Sequence, residues 1–133
     1  LDTYTRTDGM GYWNSSVRFR NIVDGSSNTF LVGERSASSG AGIWAGVGNN
    51  EYEDDAVTDC AGGNNLNSNF NSFSSAHREG AYFLLGDGAV RFIEEKIDSA
   101  KPPRGLSDRP NFDNMGVYQR LANLRDGMAI GDF

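Results

Sequence analysis

Apolar and polar positions alternate through Val17-Arg18-Phe19-Arg20-Asn21-Ile22, the period of a half-buried strand. Asp24-Gly25-Ser26-Ser27-Asn28 follows as a turn, because Asp and Asn side chains bond nearby main-chain groups and Gly accepts a positive φ. Thr29-Phe30-Leu31-Val32-Gly33 is a short unbroken apolar run whose length predicts a strand buried on both faces, ended by Glu34-Arg35. From Ser36 to Ser75 the pattern dissolves into Gly, Ser, Asn and Asp, with Ile43-Trp44-Ala45 as one expected short strand. The strongest local pattern comes next. Ala81-Tyr82-Phe83-Leu84-Leu85 and Ala89-Val90-Arg91-Phe92-Ile93 flank Gly86-Asp87-Gly88, and an Asp-Gly pair between two apolar runs predicts a hairpin with a type I′ turn.

Downstream, Pro102, Pro103 and Pro110 exclude helix from a polar connection. Asp113 to Leu124 is the helix candidate. Val117, Leu121 and Leu124 form one apolar stripe, Asp113 or Asn114 can cap its start, and Gly127 stands as a C-terminal glycine. Met128-Ala129-Ile130 is expected to close the domain as a last short strand. These elements predict one strand-rich α+β domain over residues 1–133, an antiparallel sheet with a His77–Ile93 hairpin and one C-terminal helix.

Composition narrows the function classes. A net charge of -6 argues against nucleic acid as a partner, since phosphate contacts need clustered Lys and Arg. Cys60 is the single cysteine, so a two-thiol zinc or redox motif and an internal disulfide are both excluded; a small residue in a loop is its expected role. No apolar run reaches the roughly 20 residues of a membrane span, so no membrane contact is expected of this stretch. The first residue is Leu1 and not Met, which leads us to expect a processed or truncated product.

His77 followed by the His-x9-Asp-Gly spacing to Asp87-Gly88 resembles the signature of the prepilin-type processing-associated family named for that spacing. Phe73-Ser74-Ser75-Ala76-His77, Gly80-Ala81-x-Phe83 and Asp87-Gly88-Ala89-Val90-Arg91-Phe92-Ile93 carry the likeness. Ile22-x-Asp24-Gly25-x-Ser27-Asn28-Thr29-Phe30 with Glu34 is similar to a second block of that family, and Tyr118-Gln119-Arg120-Leu121-Ala122 with Asp126-Gly127 to its C-terminal block. Arg78-Glu79 departs from it, standing where the family usually shows Pro-Gly. The resemblance implies a pilin-like globular domain made behind a type IV prepilin leader and an N-terminal hydrophobic helix, neither of which is in this sequence. Such proteins are common in planctomycete-like bacteria. It implies an extracellular, cell-surface or periplasmic location, with copies of itself or other pilin-like subunits as partners.

Residue chemistry is consistent with a structural role. His77 is the only histidine. At roughly 3.3 Å per residue along a strand, it lies at the opposite end of the hairpin from Asp87, so a His–Asp catalytic pair is not expected. Ser74 and Ser75 precede His77 without a Gly-x-Ser-x-Gly elbow. Asp24 and Asn28 are expected to cap their turn, and Glu34, at the end of a buried strand, to pair with Arg18, Arg20 or Arg91. Asp54, Asp55 and Asp59 lie in an acidic loop that could hold Ca²⁺ through carboxylate and carbonyl oxygens. Trp13, Trp44 and Tyr52 could stack on a sugar, although packing is the plainer use of such residues. The expectation is a non-catalytic structural subunit or accessory component of a type IV pilin-like filament or type II secretion pseudopilus. The alternative is a calcium-dependent carbohydrate- or surface-binding module.

Overall fold

A computed structural model describes residues 8–11, 15–39, 58, 60, 64–70, 72–99 and 115–133. Its centre is a three-stranded antiparallel sheet in which β1 (Phe30–Gly33), β2 (Gly80–Leu85) and β3 (Val90–Glu94) lie side by side in that order. One short helix, α1 (Val117–Leu121), follows near the C-terminus. The fold is strand-rich α+β, as the apolar pattern predicts.

The hairpin forms where expected, with Ala81 opposite Ile93 and Phe83 opposite Arg91. Its turn is different. The Leu85 amide donates to the Ala89 carbonyl (2.8 Å) and the Gly88 amide to the Leu85 carbonyl (3.0 Å), leaving three loop residues. Only Gly88 among them has positive φ, at 90°. This is a three-residue loop closed by a left-handed glycine, not the two-residue type I′ turn. Gly86 is the added residue, and it is pressed close to Ser26, whose carbonyl oxygen would lie 3.0 Å from a Cβ at Gly86.

β1 is an edge strand with one buried face. Phe30 is buried, whereas Leu31 and Val32 are exposed. The register of β1 on β2 slips between Phe30 and Val32, so Leu31 is an extra, bulged residue. An apolar run signals a strand but not its neighbours, which is why burial on both faces fails here. The predicted strand at residues 17–22 is also absent. A 3-10 turn covers Phe19–Asn21, because the Asn21 side chain accepts the Arg18 amide at 2.8 Å and curls the backbone locally. Residues 128–130 form no strand. Ile43-Trp44-Ala45 lies outside the described residues.

Alternate residues of β2 and β3 face inward. Ala81, Phe83, Leu85 and Ile93 are buried there with Phe30, Leu66, Tyr118 and Leu121. Aromatic rings make most of the contact: Phe30 stacks on Phe83 at 4.1 Å, and Tyr118 meets both edge-on at 5.9 and 6.3 Å. Burying each such ring contributes about 1.5–3 kcal/mol. Gly33 sits under two of the rings, where a Cβ would lie 2.5 Å from both Phe73 and Phe83. The opposite sheet face, bearing Val32, Tyr82, Val90 and Phe92, is exposed.

The helix is shorter than its apolar stripe. Gly116 enters it in extended conformation without a side-chain cap, and Asp113 and Asn114 lie outside the described residues. Leu124 is buried although it lies beyond the helix. Gly127 has φ 70° but stands well past the helix end, so it serves another turn.

Candidate functional site

Among the described residues, those singled out by sequence form two groups, one at each end of β1. At its start, a 3-10 turn over Ser26–Asn28 is opened by Gly25 at φ 94°. Asn28 Nδ2 donates to the Asp24 carbonyl (3.3 Å), and Thr29 Oγ1 donates to the Gly25 carbonyl (3.1 Å). The hairpin tip is tied to this turn: the Gly86 amide bonds the Thr29 carbonyl (2.9 Å) and the Asp87 amide the Ser26 carbonyl (3.1 Å). Asp87 Oδ1 accepts the Ala89 amide at 2.9 Å, bracing its own loop.

Asn28 thus stabilises the turn as expected, but the Asp24 carboxylate does something else. Its two oxygens accept the amides of Asp126 (2.7 Å) and Gly127 (2.9 Å). The positive φ at Gly127 lets the chain present both amides to one carboxylate. Asp126 turns its own Oδ1 to the Met128 amide (2.7 Å). Burial pushes the Asp126 carboxyl above its ordinary range; the Met128 amide opposes this, nearby Asp24 adds to it and Arg120 counters it.

At the other end of β1, Glu34 replaces the pairing that the strand no longer supplies. Its amide donates to the Tyr82 carbonyl (3.2 Å), and its Oε2 accepts the Tyr82 amide (2.8 Å). Its carboxyl is held below the ordinary range by that amide first of all; burial opposes, and the Ser75 hydroxyl and His77 reinforce. His77 Nε2 lies 3.6 Å from Glu34 Oε1, and its ring stands edge-on to Tyr82 at 5.2 Å. The arginine partner expected for Glu34 is therefore replaced by an amide and a histidine. The reason is that Glu34 is not buried, so no full counter-charge is required. Arg91 lies instead over the Phe133 ring, 4.8 Å from its centroid.

His77 and Asp87 occupy opposite ends of the hairpin, as the spacing predicts, and do not form a pair. Ser74 is buried, its Oγ accepting the Ser36 amide (3.1 Å), and Ser75 Oγ accepts the His77 amide (3.2 Å). Asp54, Asp55 and Asp59 lie outside the described residues, as do Trp13, Trp44 and Tyr52. Among the described residues, no group of three or more His, Cys, Asp or Glu side chains could hold a metal ion.

Two polar hubs escape sequence reasoning. Arg35 Nε donates to the Ser39 carbonyl (3.1 Å), Nη1 to Thr58 Oγ1 (3.1 Å) and Nη2 to the Phe70 carbonyl (2.9 Å). Buried Gln119 reaches the Cys60 carbonyl (3.1 Å) and Ser99 Oγ (2.9 Å) through Nε2. Cys60 is itself buried, a small residue packed in the core cluster. Gln119 stands in the Tyr118-to-Ala122 block that carries the family resemblance, but nothing in that block marks its partners.

Residues 1–100 match the family model described as a protein of unknown function, DUF1559. The chain belongs to the DUF1559 family. The DUF1559 match includes Asp24, Gly25, Asn28, Glu34, His77, Asp87 and Gly88, and ends before α1 and the Asp126-Gly127 pair. No curated protein and no solved structure matches the chain. Membership in DUF1559 brings no activity with it, so any functional reading stands on the site's own geometry.

Proposed function

We propose that this chain is the globular part of a structural or accessory subunit in a type IV pilin-like filament or type II secretion pseudopilus, acting outside the cytoplasm and without catalysis. The observation that carries the reading is the use made of the signature residues. Asp24, Glu34 and Asp87 each direct a carboxylate at main-chain amides, fastening the turn, the hairpin and the C-terminal segment to one another. Carboxylates satisfied by fixed amides favour shape over chemistry, because a catalytic acid or nucleophile needs a free and reactive lone pair. The three blocks that resemble the His-x9-Asp-Gly family thus come together as one framework.

The test is made in the producing organism. Surface appendages are sheared off and analysed by mass spectrometry, in cells with and without their prepilin peptidase. The reading expects this chain in the sheared fraction of normal cells and its loss when the peptidase is deleted. Recovery in the cytosol alone, unaffected by the deletion, would overturn it.

A further inference from the structure

The chain carries two exposed apolar surfaces with charges of opposite sign. One is the turn over residues 18–23. Phe19 is 76% exposed there and Val23 70%, more than any other large apolar side chain described. Arg18 and Arg20 flank Phe19 and are exposed with it, and no acidic residue stands between Val17 and Val23. The turn is built to hold this knob in place. The Asn21 amide donates to the Arg18 carbonyl (2.7 Å), the Asn21 side chain accepts the Arg18 amide (2.8 Å), and the Ile22 amide donates to the Phe19 carbonyl (3.1 Å). The Val23 amide fastens its end to the Leu124 carbonyl (2.7 Å). Asp24, the next carboxylate along the chain, is turned instead to the Asp126 and Gly127 amides.

The other is the outer face of the sheet, where Val32, Tyr82, Val90 and Phe92 are exposed. Tyr82 lies opposite Phe92, and their rings meet edge-on at 5.1 Å. Two carboxylates bracket this pair. Glu34 bonds Tyr82 from the β1 side and keeps 37% of its side chain exposed, and exposed Glu94 lies two residues beyond Phe92 on β3. A strand spacing of about 4.8 Å and a rise of about 3.3 Å per residue place them about 12 Å apart. Among the described residues, no strand residue on this face is Lys or Arg: Arg91 points to the inner face, over the Phe133 ring. His77, beside Glu34, carries a charge only when protonated. At the margins Arg78 with Glu79, and Glu95 with Lys96, sum to zero. The face therefore reads acid, two aromatic rings, acid, where the turn reads base, one ring, base.

We propose that the Arg18-Phe19-Arg20 turn of one copy docks on the outer sheet face of the next, with Phe19 against the Tyr82 and Phe92 rings and the arginines toward Glu34 and Glu94. Ring-to-ring contact, and a guanidinium over a ring or beside a carboxylate, are the contacts such side chains make best at interfaces. Two arginines on long stems, diverging from one turn, span the roughly 12 Å between the carboxylates. Other partners fit less well. Nucleic acid and an anionic bilayer would both attract the two arginines, yet repel a chain whose net charge is -6. A second copy supplies the missing negative surface and needs no main-chain group that is already bonded. Turn and face are different surfaces, so the contact is heterologous: each copy gives a turn and receives one, and the two ends of any row of copies stay open. An open contact is what a filament subunit requires.

This contact deepens the proposed assembly role and rests on that reading for its setting. It is tested on the full chain by sedimentation velocity from low micromolar to submillimolar concentration. The parent should form a concentration-dependent series that passes beyond the dimer and weakens as salt rises, since charge pairs are screened. Phe19→Ser removes the knob, and Glu94→Arg sets a positive charge against it; each should weaken self-association on the order of tenfold or more. Both side chains are exposed, and melting temperatures equal to the parent's show that only the contact is lost. An equimolar mixture of the two variants should form a dimer and nothing larger, because the intact turn of Glu94→Arg meets the intact face of Phe19→Ser. A parent that stays monomeric, a parent that stops at a closed dimer, a mixture no heavier than its components, or association indifferent to salt would each overturn the proposal. So would a monomer that binds anionic phospholipid vesicles through Phe19. Filaments that contain the chain while it shows no self-association overturn only this contact. Open-ended association of a protein absent from filaments overturns only the assembly reading.

Discussion

Replacing Asp24 by alanine removes one carboxylate that holds two amides from the far end of the chain, those of Asp126 at 2.7 Å and Gly127 at 2.9 Å. Hydrogen bonds to a charged group contribute about 1.5–3 kcal/mol each when the abandoned donor stays dry, and less when water can replace the acceptor. The Asp126 bond is partly buried and takes the lower part of that range, about 1.5–2 kcal/mol. The Gly127 bond is exposed and is valued at about 0.5–1 kcal/mol. Removing Asp24 also relieves its repulsion of Asp126, which returns roughly 0.5 kcal/mol. The net loss is about 2 kcal/mol, a large share of the 5–15 kcal/mol typical of a domain. Asp24→Asn keeps one acceptor and should lose about half as much. Urea denaturation followed by circular dichroism measures both variants, and hydrogen exchange reports the Asp126 and Gly127 amides directly. If Asp24→Ala lies within about 0.5 kcal/mol of the parent and those amides stay protected, the clamp contributes no stability and the reasoning fails.

Further expectations concern strain, packing and pH. Glu79 has φ 67°, a left-handed backbone that costs a side-chain-bearing residue about 1–2 kcal/mol, so Glu79→Gly should stabilise the fold by about 0.5–1 kcal/mol in the same urea assay. Gly33→Ala should destabilise by at least about 1–3 kcal/mol, since its Cβ would enter the Phe73 and Phe83 rings; an unchanged midpoint refutes that packing. The folded-state pKa of Glu34 is lowered, so its stabilisation is present above the ordinary glutamate value near about 4.3 and is lost as pH falls through the depressed one. Thermal melts of Glu34→Gln should accordingly show a shallower loss of stability on acidification than the parent. Asp126 has the opposite sign: its raised pKa gives stability below the ordinary aspartate value near about 3.9 that is lost as pH rises through the folded one. Asp126→Asn should therefore melt higher than the parent at pH 7 and converge with it in acid; a lower melting temperature at pH 7 contradicts the assignment.

The legible parts of this fold are those written in local pattern. The hairpin was readable because apolar runs flank a glycine-rich loop, but the loop type was not. The same letters allow two or three loop residues, and the choice is made by Gly86 docking on the Ser26 carbonyl. β1 was readable as a strand, whereas its position at an edge depends on what lies beside it. Alternation over residues 17–22 misled because one Asn21-to-Arg18 bond is enough to curl an exposed segment with no neighbour to pair with. The site residues were recognisable by resemblance, yet their roles were hidden by distance. Asp24 finds its amides near the other end of the chain, and Glu34 finds an amide where a buried carboxylate would have needed an arginine. Gln119 and Arg35 act through carbonyls that no motif marks.

The Asp24 clamp also sets an order of events. Residue 24 leaves the ribosome, and crosses any membrane the chain crosses from its N-terminus, long before residues 126 and 127 do. Leu124 adds to this delay, because its carbonyl receives the Val23 amide (2.7 Å) and its amide bonds the Asp8 carbonyl (2.8 Å). Such pairings span most of the sequence and close slowly, since the intervening loop must be ordered first. The segment around Asp24 therefore stays unlatched until residues 124–127 arrive. Under the export proposed above, that delay would keep the chain threadable while it is moved and let it lock where it is delivered.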